Sequence, residues 1–135
     1  MLYSNTGHLE TSEKSNFDLE FDFVFVLYMN RFKFEIKQEY EWGHIGGYSV
    51  TVGDRTVARA RYNGCEITQM EVDTMFRYAG IGTALLKQCE ESLRKNGCRQ
   101  ALVYSGPTSP NQPNPRVFYH KNGYHGWNHL HKDLN

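Results

Sequence analysis

The chain has few cysteines, no excess of charge of either sign and no long apolar run. Its 135 residues include three cysteines, Cys65, Cys89 and Cys98, whose number and spacings match neither a zinc site nor a disulfide framework. We therefore expect buried free thiols in a reducing compartment. Lys plus Arg and Asp plus Glu both total 15, so the formal net charge is zero. This balance argues against a dedicated nucleic-acid or membrane-surface protein, because both classes favour a basic excess.

The segments that would target the chain to a membrane are missing as well. Residues 1–16 are polar and contain no signal-peptide core, and the most apolar run, residues 23–29, is far too short to span a bilayer. Aromatic residues reach 14%, whereas disordered chains usually contain few of them. We expect a cytoplasmic protein with a loose polar arm at 1–16 and a single folded domain at 17–135.

The first half of the folded region has the period-two pattern of β-strands. A turn at Met29-Asn30 would make the first two strands a hairpin, although the second could also continue the first. Gly53-Asp54 and Asn63-Gly64 are turn dipeptides between later strands. The predicted strands cover residues 21–28, 31–37, 48–52, 57–62 and 65–73. This half therefore reads as an antiparallel meander.

The second half changes to a helical period. Apolar residues from Ile81 to Leu93 lie on one helical stripe, and Gly97 follows two cations at the predicted helix end. A buried strand is predicted at 100–104, which implies a parallel pair with the strand before the helix. A short helix at 115–121 and a last strand at 124–130 complete the order.

Two glycines, Gly80 and Gly82, stand just before the long helix. Such a loop can present unpaired backbone N–H groups to an anion, and it equally permits a tight turn from strand to helix. A Walker loop is excluded because Thr83, rather than lysine, follows the last glycine. A Rossmann fingerprint is excluded because Leu85 occupies the position of its third small residue.

Two motifs together resemble those of a known family. Arg77-x-x-Gly80-x-Gly82, after a strand, resembles the acetyl-CoA-binding loop of the GNAT N-acetyltransferase superfamily. Phe-Tyr-His-Lys-Asn-Gly-Tyr at 118–124 resembles its second signature, and the resemblance covers about residues 43–130. It implies an α+β (α/β) fold with a mixed, mostly antiparallel central sheet flanked by helices. The N-terminal part is atypical for the family, because residues 17–40 have a strand pattern and the family's two N-terminal helices are not evident there.

The resemblance implies an acetyl-CoA-dependent N-acetyltransferase, in which a primary amine attacks the thioester directly. Backbone amides of the glycine loop would bind the pyrophosphate, and the preceding strand would pair with the pantetheine arm. The implied cofactor-binding residues are Met70, Val72, Arg77, Tyr78, Ala79, Gly80, Ile81, Gly82, Thr83 and Asn114. Asn111 and Gln112 are alternatives to Asn114.

The resemblance also implies two catalytic residues. Tyr119 matches the family's tyrosine that gives a proton to the leaving thiolate. Glu66 is the preferred base, because strand parity would place it on one face with Met70 and Val72, at a position where family members often carry a glutamate. The alternatives for the base are Glu71, Asp73 and His44.

Several questions stay open at the level of sequence. A non-catalytic GNAT-fold protein that binds coenzyme A or a partner is the second hypothesis. The acceptor amine cannot be identified, since the helices that often shape its pocket in the family are not evident. A homodimer formed through the strands at 21–36 is a further hypothesis. We predict no metal site, and we interpret the histidines at 125, 129 and 131 as exposed strand residues.

Overall fold

A computed structural model describes residues 8–12, 24–29, 32–77, 80–105 and 115–135. In these ranges, nine strands form one sheet in the order β1-β2-β3-β4-β5-β6-β7-β9-β8. The strands are β1 His8–Ser12, β2 Val24–Met29, β3 Phe32–Trp42, β4 Ile45–Val52, β5 Arg55–Asn63, β6 Glu66–Val72, β7 Gln100–Tyr104, β8 His125–Gly126 and β9 His129–Asp133. The helices are α1 Ile81–Lys95 and α2 Pro115–Lys121. The predicted α+β fold with a mixed, mostly antiparallel sheet is confirmed.

Strands β1 to β6 form an antiparallel meander, and β6 and β7 form a parallel pair with α1 between them in sequence. Met29 pairs with Phe32, so β2 and β3 are a hairpin and not one continuous strand. Met29 is thus the last paired residue before the predicted turn, whose other residue, 30, lies outside the described ranges. The described part of the chain contains no helix long and apolar enough to cross a bilayer.

Two predicted elements are corrected at the chain ends. His8–Ser12, predicted to belong to a loose polar arm, pairs with β2 as an edge strand. Main-chain hydrogen bonds form this contact without any need for apolar side chains, which is why composition did not reveal it. The last strand, predicted at 124–130, is divided into β8 and β9. Gly126 lies at the break with φ +117°, where a Cβ would meet the carbonyl oxygen of His129.

The core lies between the sheet and the two helices. Helix α1 buries the stripe predicted from its period: Ile81, Leu85, Cys89 and Leu93. On β5, Ala58, Ala60 and Tyr62 are buried beneath this helix, while Arg59 and Arg61 are exposed on the other face, as the period of two predicts. The same period places Val57 on the arginine face, and this was wrong: a register shift in the β4–β5 pairing leaves Val57 unmatched, and it is buried in the core. Within the described residues, the helices cover only one face of the central strands.

The cysteine prediction was partly wrong. Cys65 and Cys98 form a disulfide that joins the residue before β6 to the connection between α1 and β7. The two residues are 33 positions apart, so their proximity depends on the parallel pairing of β6 and β7, which spacing alone did not disclose. Cys89 is free and buried in the core as predicted, and burial raises its pKa to about 12. The argument for a reducing compartment from free thiols no longer holds, and the cytoplasmic location stays a prediction.

We expect the Cys65–Cys98 bond to contribute strongly to stability. Closing a loop of this length restricts the unfolded chain and stabilises the fold by about 3–4 kcal/mol in the entropic account. Reduction should therefore lower the Tm by roughly 10 °C, measured by calorimetry with and without reductant. A Cys65→Ser/Cys98→Ser variant should have the lower Tm and no response to reductant. Three titratable thiols in the denatured, unreduced protein would contradict the bond.

Candidate functional site

A cleft opens between strands β6 and β7. The two strands are paired only at Glu66 with Leu102 and at Ile67 with Val103, although β6 continues to Val72. From Thr68 onward, the side of β6 that faces β7 has no strand partner among the described residues. A strand edge of this kind can pair with an extended ligand through its main chain, as the family resemblance implies for this segment.

The N-terminus of α1 offers free backbone donors. Gly80 caps the helix in the left-handed conformation, with φ +82°, and no side chain of the described residues caps the first turn. The N–H groups of Ile81, Gly82 and Thr83 therefore have no intrahelical acceptor, whereas Ala84 N–H donates to the Gly80 carbonyl over 3.1 Å. Aligned with the helix dipole, these donors favour an anion.

Gly82 is the point where three predicted segments meet. A Cβ built on Gly82 would lie 3.1 Å from Cε1 of Phe118 on α2 and 3.6 Å from Cγ2 of Val72 on β6. The glycine loop, the second signature and the strand before the loop are therefore in contact. A glycine at this position allows the three segments to pack this closely, because any side chain would crowd the Phe118 ring.

The end of β6 is fixed by two hydrogen-bonded side chains. Arg77 donates from Nε to the Val72 carbonyl over 3.1 Å, so this predicted cofactor residue also holds the strand end. Asp73 accepts from the N–H of Met75 and pairs with Arg55. The Met75 N–H, followed by Arg55, lowers the Asp73 pKa. These contacts give Asp73, an alternative base, a structural role.

The parity argument for Glu66 was wrong. A register shift in the β5–β6 pairing places Ile67 opposite Tyr62 but Gln69 opposite Arg61, so one residue of β6 is unmatched. Ile67 lies in the core, and Met70 and Val72 pack against it, while Glu66 is exposed on the opposite face. An alternating pattern cannot reveal such a bulge, because the bulge reverses the parity within one strand. Glu66 stays a predicted base, now on the face away from the helices.

Tyr119 lies in the core beside the second signature. Its ring packs edge-on against Phe118 and Tyr124, with centroid separations of 5.1 and 5.4 Å. Burial, and after it the proximity of Cys89, raises the pKa of Tyr119 above its ordinary value. The hydroxyl makes no hydrogen bond to any side chain or backbone group that the structure describes, so it stays protonated and available as a donor.

A buried ionic cluster supports the tyrosines and was missed in the sequence. The Glu90 carboxylate accepts a hydrogen bond from the Tyr124 hydroxyl over 2.8 Å and pairs with Lys132 Nζ at 3.1 Å. The burial of Tyr124 and its proximity to Glu90 raise the Tyr124 pKa. One signal was present: Glu90 falls between Leu86 and Leu93 at helical spacing, a charge on the buried side of α1. The cluster fixes the ring against which Tyr119 packs.

Several candidate residues are placed elsewhere or lie outside the described ranges. Tyr78, Ala79, Asn111, Gln112 and Asn114 belong to the latter group, so their predicted roles stay predictions. His44 is exposed in the turn before β4, where its carbonyl accepts from Gly64 N–H.

The C-terminal histidines line up across two strands. His125 on β8 pairs with His131 on β9, and their rings are 6.2 Å apart. His129 lies beside Tyr104 of β7. As far as the structure describes the chain, no group of three or more His, Cys, Asp or Glu side chains could hold a metal ion.

The chain is similar to proteins of one family. Residues 8–124 match the model of the acetyltransferase (GNAT) family. A comparison of the chain with curated proteins found no match.

Solved structures share the fold at low sequence identity. A GNAT-family protein from Desulfovibrio desulfuricans aligns with a TM-score of 0.60 and 16% identity, over 67% of this chain and 70% of that one. The PaiA N-acetyltransferase of Thermoplasma acidophilum, solved with coenzyme A, aligns with a TM-score of 0.54 and 17% identity, over 66% and 60%. A cAMP-binding acyltransferase from Mycobacterium smegmatis aligns with a TM-score of 0.64 and 11% identity, over 87% and 50%.

Proposed function

The chain belongs to the acetyltransferase (GNAT) family, and we propose on this basis that it is an acetyl-CoA-dependent N-acetyltransferase acting on a primary amine. The observation that carries the proposal is the cleft between β6 and β7, whose edge leads along β6 to the uncapped N-terminus of α1. An extended arm ending in a pyrophosphate matches an unpaired strand edge followed by a cluster of free N–H donors.

The described residues fit the acyl donor at two places. The backbones of Gly80, Ile81, Gly82 and Thr83 would hold the pyrophosphate, since their N–H groups lack side-chain caps. The main chain of β6 near Met70 and Val72 would pair with the pantetheine arm. Arg77 would act mainly by holding the end of β6 in place, through its bond to the Val72 carbonyl. Tyr78, Ala79 and Asn114 are further proposed contacts.

The reaction needs a proton acceptor for the amine and a hydrogen-bond donor for the leaving sulfur, and two residues of this chain would supply them. The amine nitrogen attacks the thioester carbonyl carbon, the C–S bond breaks and the sulfur leaves as a thiolate. Glu66 would take the amine proton, directly or through water. Tyr119 would hydrogen-bond to the developing thiolate. Because a thiol ordinarily has a pKa near 8.5, a phenol with a raised pKa stabilises the thiolate mainly by hydrogen bonding.

The burial of Tyr119 favours one alternative. If the phenol does not reach the reacting sulfur, the chain would be a GNAT-fold protein that binds coenzyme A without transferring an acyl group. Such a protein would use the same loop and cleft, so binding and turnover must be measured separately.

Calorimetric titration with acetyl-CoA, followed by thiol release with a panel of primary amines, tests the proposal. We expect saturable binding with a stoichiometry of one and release of coenzyme A only when an amine is present. Binding without release for every amine class would support the alternative. Absence of binding at millimolar acetyl-CoA would contradict both.

A further inference from the structure

Strand β7 exposes apolar side chains on the face that the helices leave open. Ala101 and Val103 are buried toward the helices, whereas Leu102 and Tyr104 are 43% and 56% exposed. Isolated exposed apolar residues are common on protein surfaces. These two are neighbours on one face of a short strand beside the cleft, so they form a continuous apolar surface next to the proposed reaction site.

The exposed residues line a groove of about 710 Å³ that crosses three strands. Glu66 of β6 is opposite Leu102 of β7, which is opposite His131 of β9. In the next row Tyr104 is opposite His129, with ring centroids 5.0 Å apart. The groove therefore brings one carboxylate, an apolar floor and two imidazoles together. These residues are far apart in the sequence, so the sequence alone does not indicate this arrangement.

The groove reaches the cleft from the side opposite α1 and α2. On the helix side the same strands are filled by core residues, with Ala101 and Tyr124 at most 1% exposed and Tyr119 at 5%. The pairing of β6 and β7 ends at Ile67 and Val103, beside Tyr104. A molecule in the groove therefore has access to the cleft without displacing the core.

The charge of the groove selects among amines. Glu66 is the one carboxylate among the described residues that line it, and no Lys or Arg is among them. An ammonium group would pair with Glu66, and an apolar body would lie on Leu102 and Tyr104. A carboxylate on the acceptor would find no Lys or Arg among these residues, only the imidazoles of His129 and His131 as donors, and would be repelled by Glu66. A second ammonium would find no second carboxylate.

We infer that this groove binds the amine acceptor and selects primary amines with an apolar body and no carboxylate, an inference that rests on the acetyl transfer proposed above. In the groove Glu66 first pairs with the ammonium and then takes its proton, so that the neutral nitrogen attacks the thioester carbonyl carbon. The C–S bond breaks, the thiolate leaves, and the second amine proton passes to solvent.

Three compounds test this selectivity in the full chain: 2-phenylethylamine, L-phenylalanine, which adds only a carboxylate, and 1,4-diaminobutane, in which an aminoethyl group with a second ammonium replaces the ring. We expect kcat/KM for 2-phenylethylamine to exceed the values for the other two by about 100-fold and about 10-fold. Binding of each compound is also followed by NMR, as shifts of the Leu102 and Tyr104 signals in the presence of coenzyme A.

Variants separate the groove from other surfaces. Leu102→Asn should weaken binding of 2-phenylethylamine about 10-fold, and Glu66→Gln should lower kcat/KM by about 100-fold or more. Trp42→Ala, which removes an exposed aromatic side chain from the distant strand β3, should change neither.

Two results would overturn the inference. One is preferred acetylation of L-phenylalanine or the diamine, and the other is the absence of saturable shifts at Leu102 and Tyr104. If shifts appear but no amine is acetylated, amine binding by the groove stands and the acyl-transfer proposal fails.

Discussion

Gly82→Glu should weaken coenzyme A binding by at least about 100-fold, equivalent to about 2.8 kcal/mol. Gly82 lies in the uncapped first turn of α1, where a Cβ would lie 3.1 Å from Cε1 of Phe118 and 3.6 Å from Cγ2 of Val72. A carboxylate there would satisfy the free N–H groups itself and repel the pyrophosphate. Calorimetric titration of both proteins with coenzyme A measures the loss.

Matched variants separate charge from size at this position. Gly82→Gln has nearly the same volume without the negative charge and should lose less affinity. A glutamate in the first turn favours the helix, whereas its Cβ would crowd Phe118, so the Tm of each variant separates loss of binding from loss of folding. Unchanged affinity in Gly82→Glu would show that the N-terminus of α1 does not hold the pyrophosphate.

Tyr119→Phe should lower kcat by roughly 100-fold and leave the affinity for coenzyme A nearly unchanged. The hydroxyl would then be missing where the thiolate develops, while the ring could still pack against Phe118 and Tyr124. Because the hydroxyl bonds to no described residue, the free energy of unfolding should change by less than about 1 kcal/mol. Single-turnover kinetics and denaturant unfolding measure the two quantities.

Tyr124→Phe is the matched control for this prediction. It removes the hydrogen bond to the buried Glu90 carboxylate and should cost about 1–3 kcal/mol of stability, with a much smaller effect on kcat. Equal losses of kcat in both variants would show that a general disturbance of the aromatic cluster, rather than loss of the Tyr119 hydroxyl at the developing thiolate, lowers kcat.

The pH profile gives an independent test of the Tyr119 assignment. Since burial raises the Tyr119 pKa, the phenol stays protonated through neutral and mildly alkaline pH. In the unsubstituted protein kcat should rise with pH as the amine loses its proton, with no decline assignable to Tyr119 below about pH 10. A declining limb near pH 8 that disappears in Tyr119→Phe would contradict the raised pKa.

Elements whose pattern is local were predicted closely from the sequence. Helix α2 was predicted at 115–121 and strand β7 at 100–104, and the structure has both with these bounds. The buried stripe of α1 followed from its period as well. Local periodicity determines which side of an element is apolar, so these features need no knowledge of the rest of the fold.

Features that depend on pairing between distant segments were not predictable in this way. The bulge in β6 moved Glu66 to the other face, the edge strand β1 has no apolar signature, and the disulfide depends on the parallel contact of β6 and β7. In each case main-chain register decides the outcome, and register is a property of two strands together.

The sequence by itself determined the family motifs, the order of most elements and the residues around the proposed pyrophosphate site, because these are encoded in short contiguous runs. Only the tertiary structure decided where the sheet divides into a cleft, which face of β6 carries Glu66, and that Leu102 and Tyr104 share a groove with it. The physical reason is that the exposure of each strand face depends on the hydrogen-bond register between strands and on which face the helices cover. Neither property can be read from a single segment.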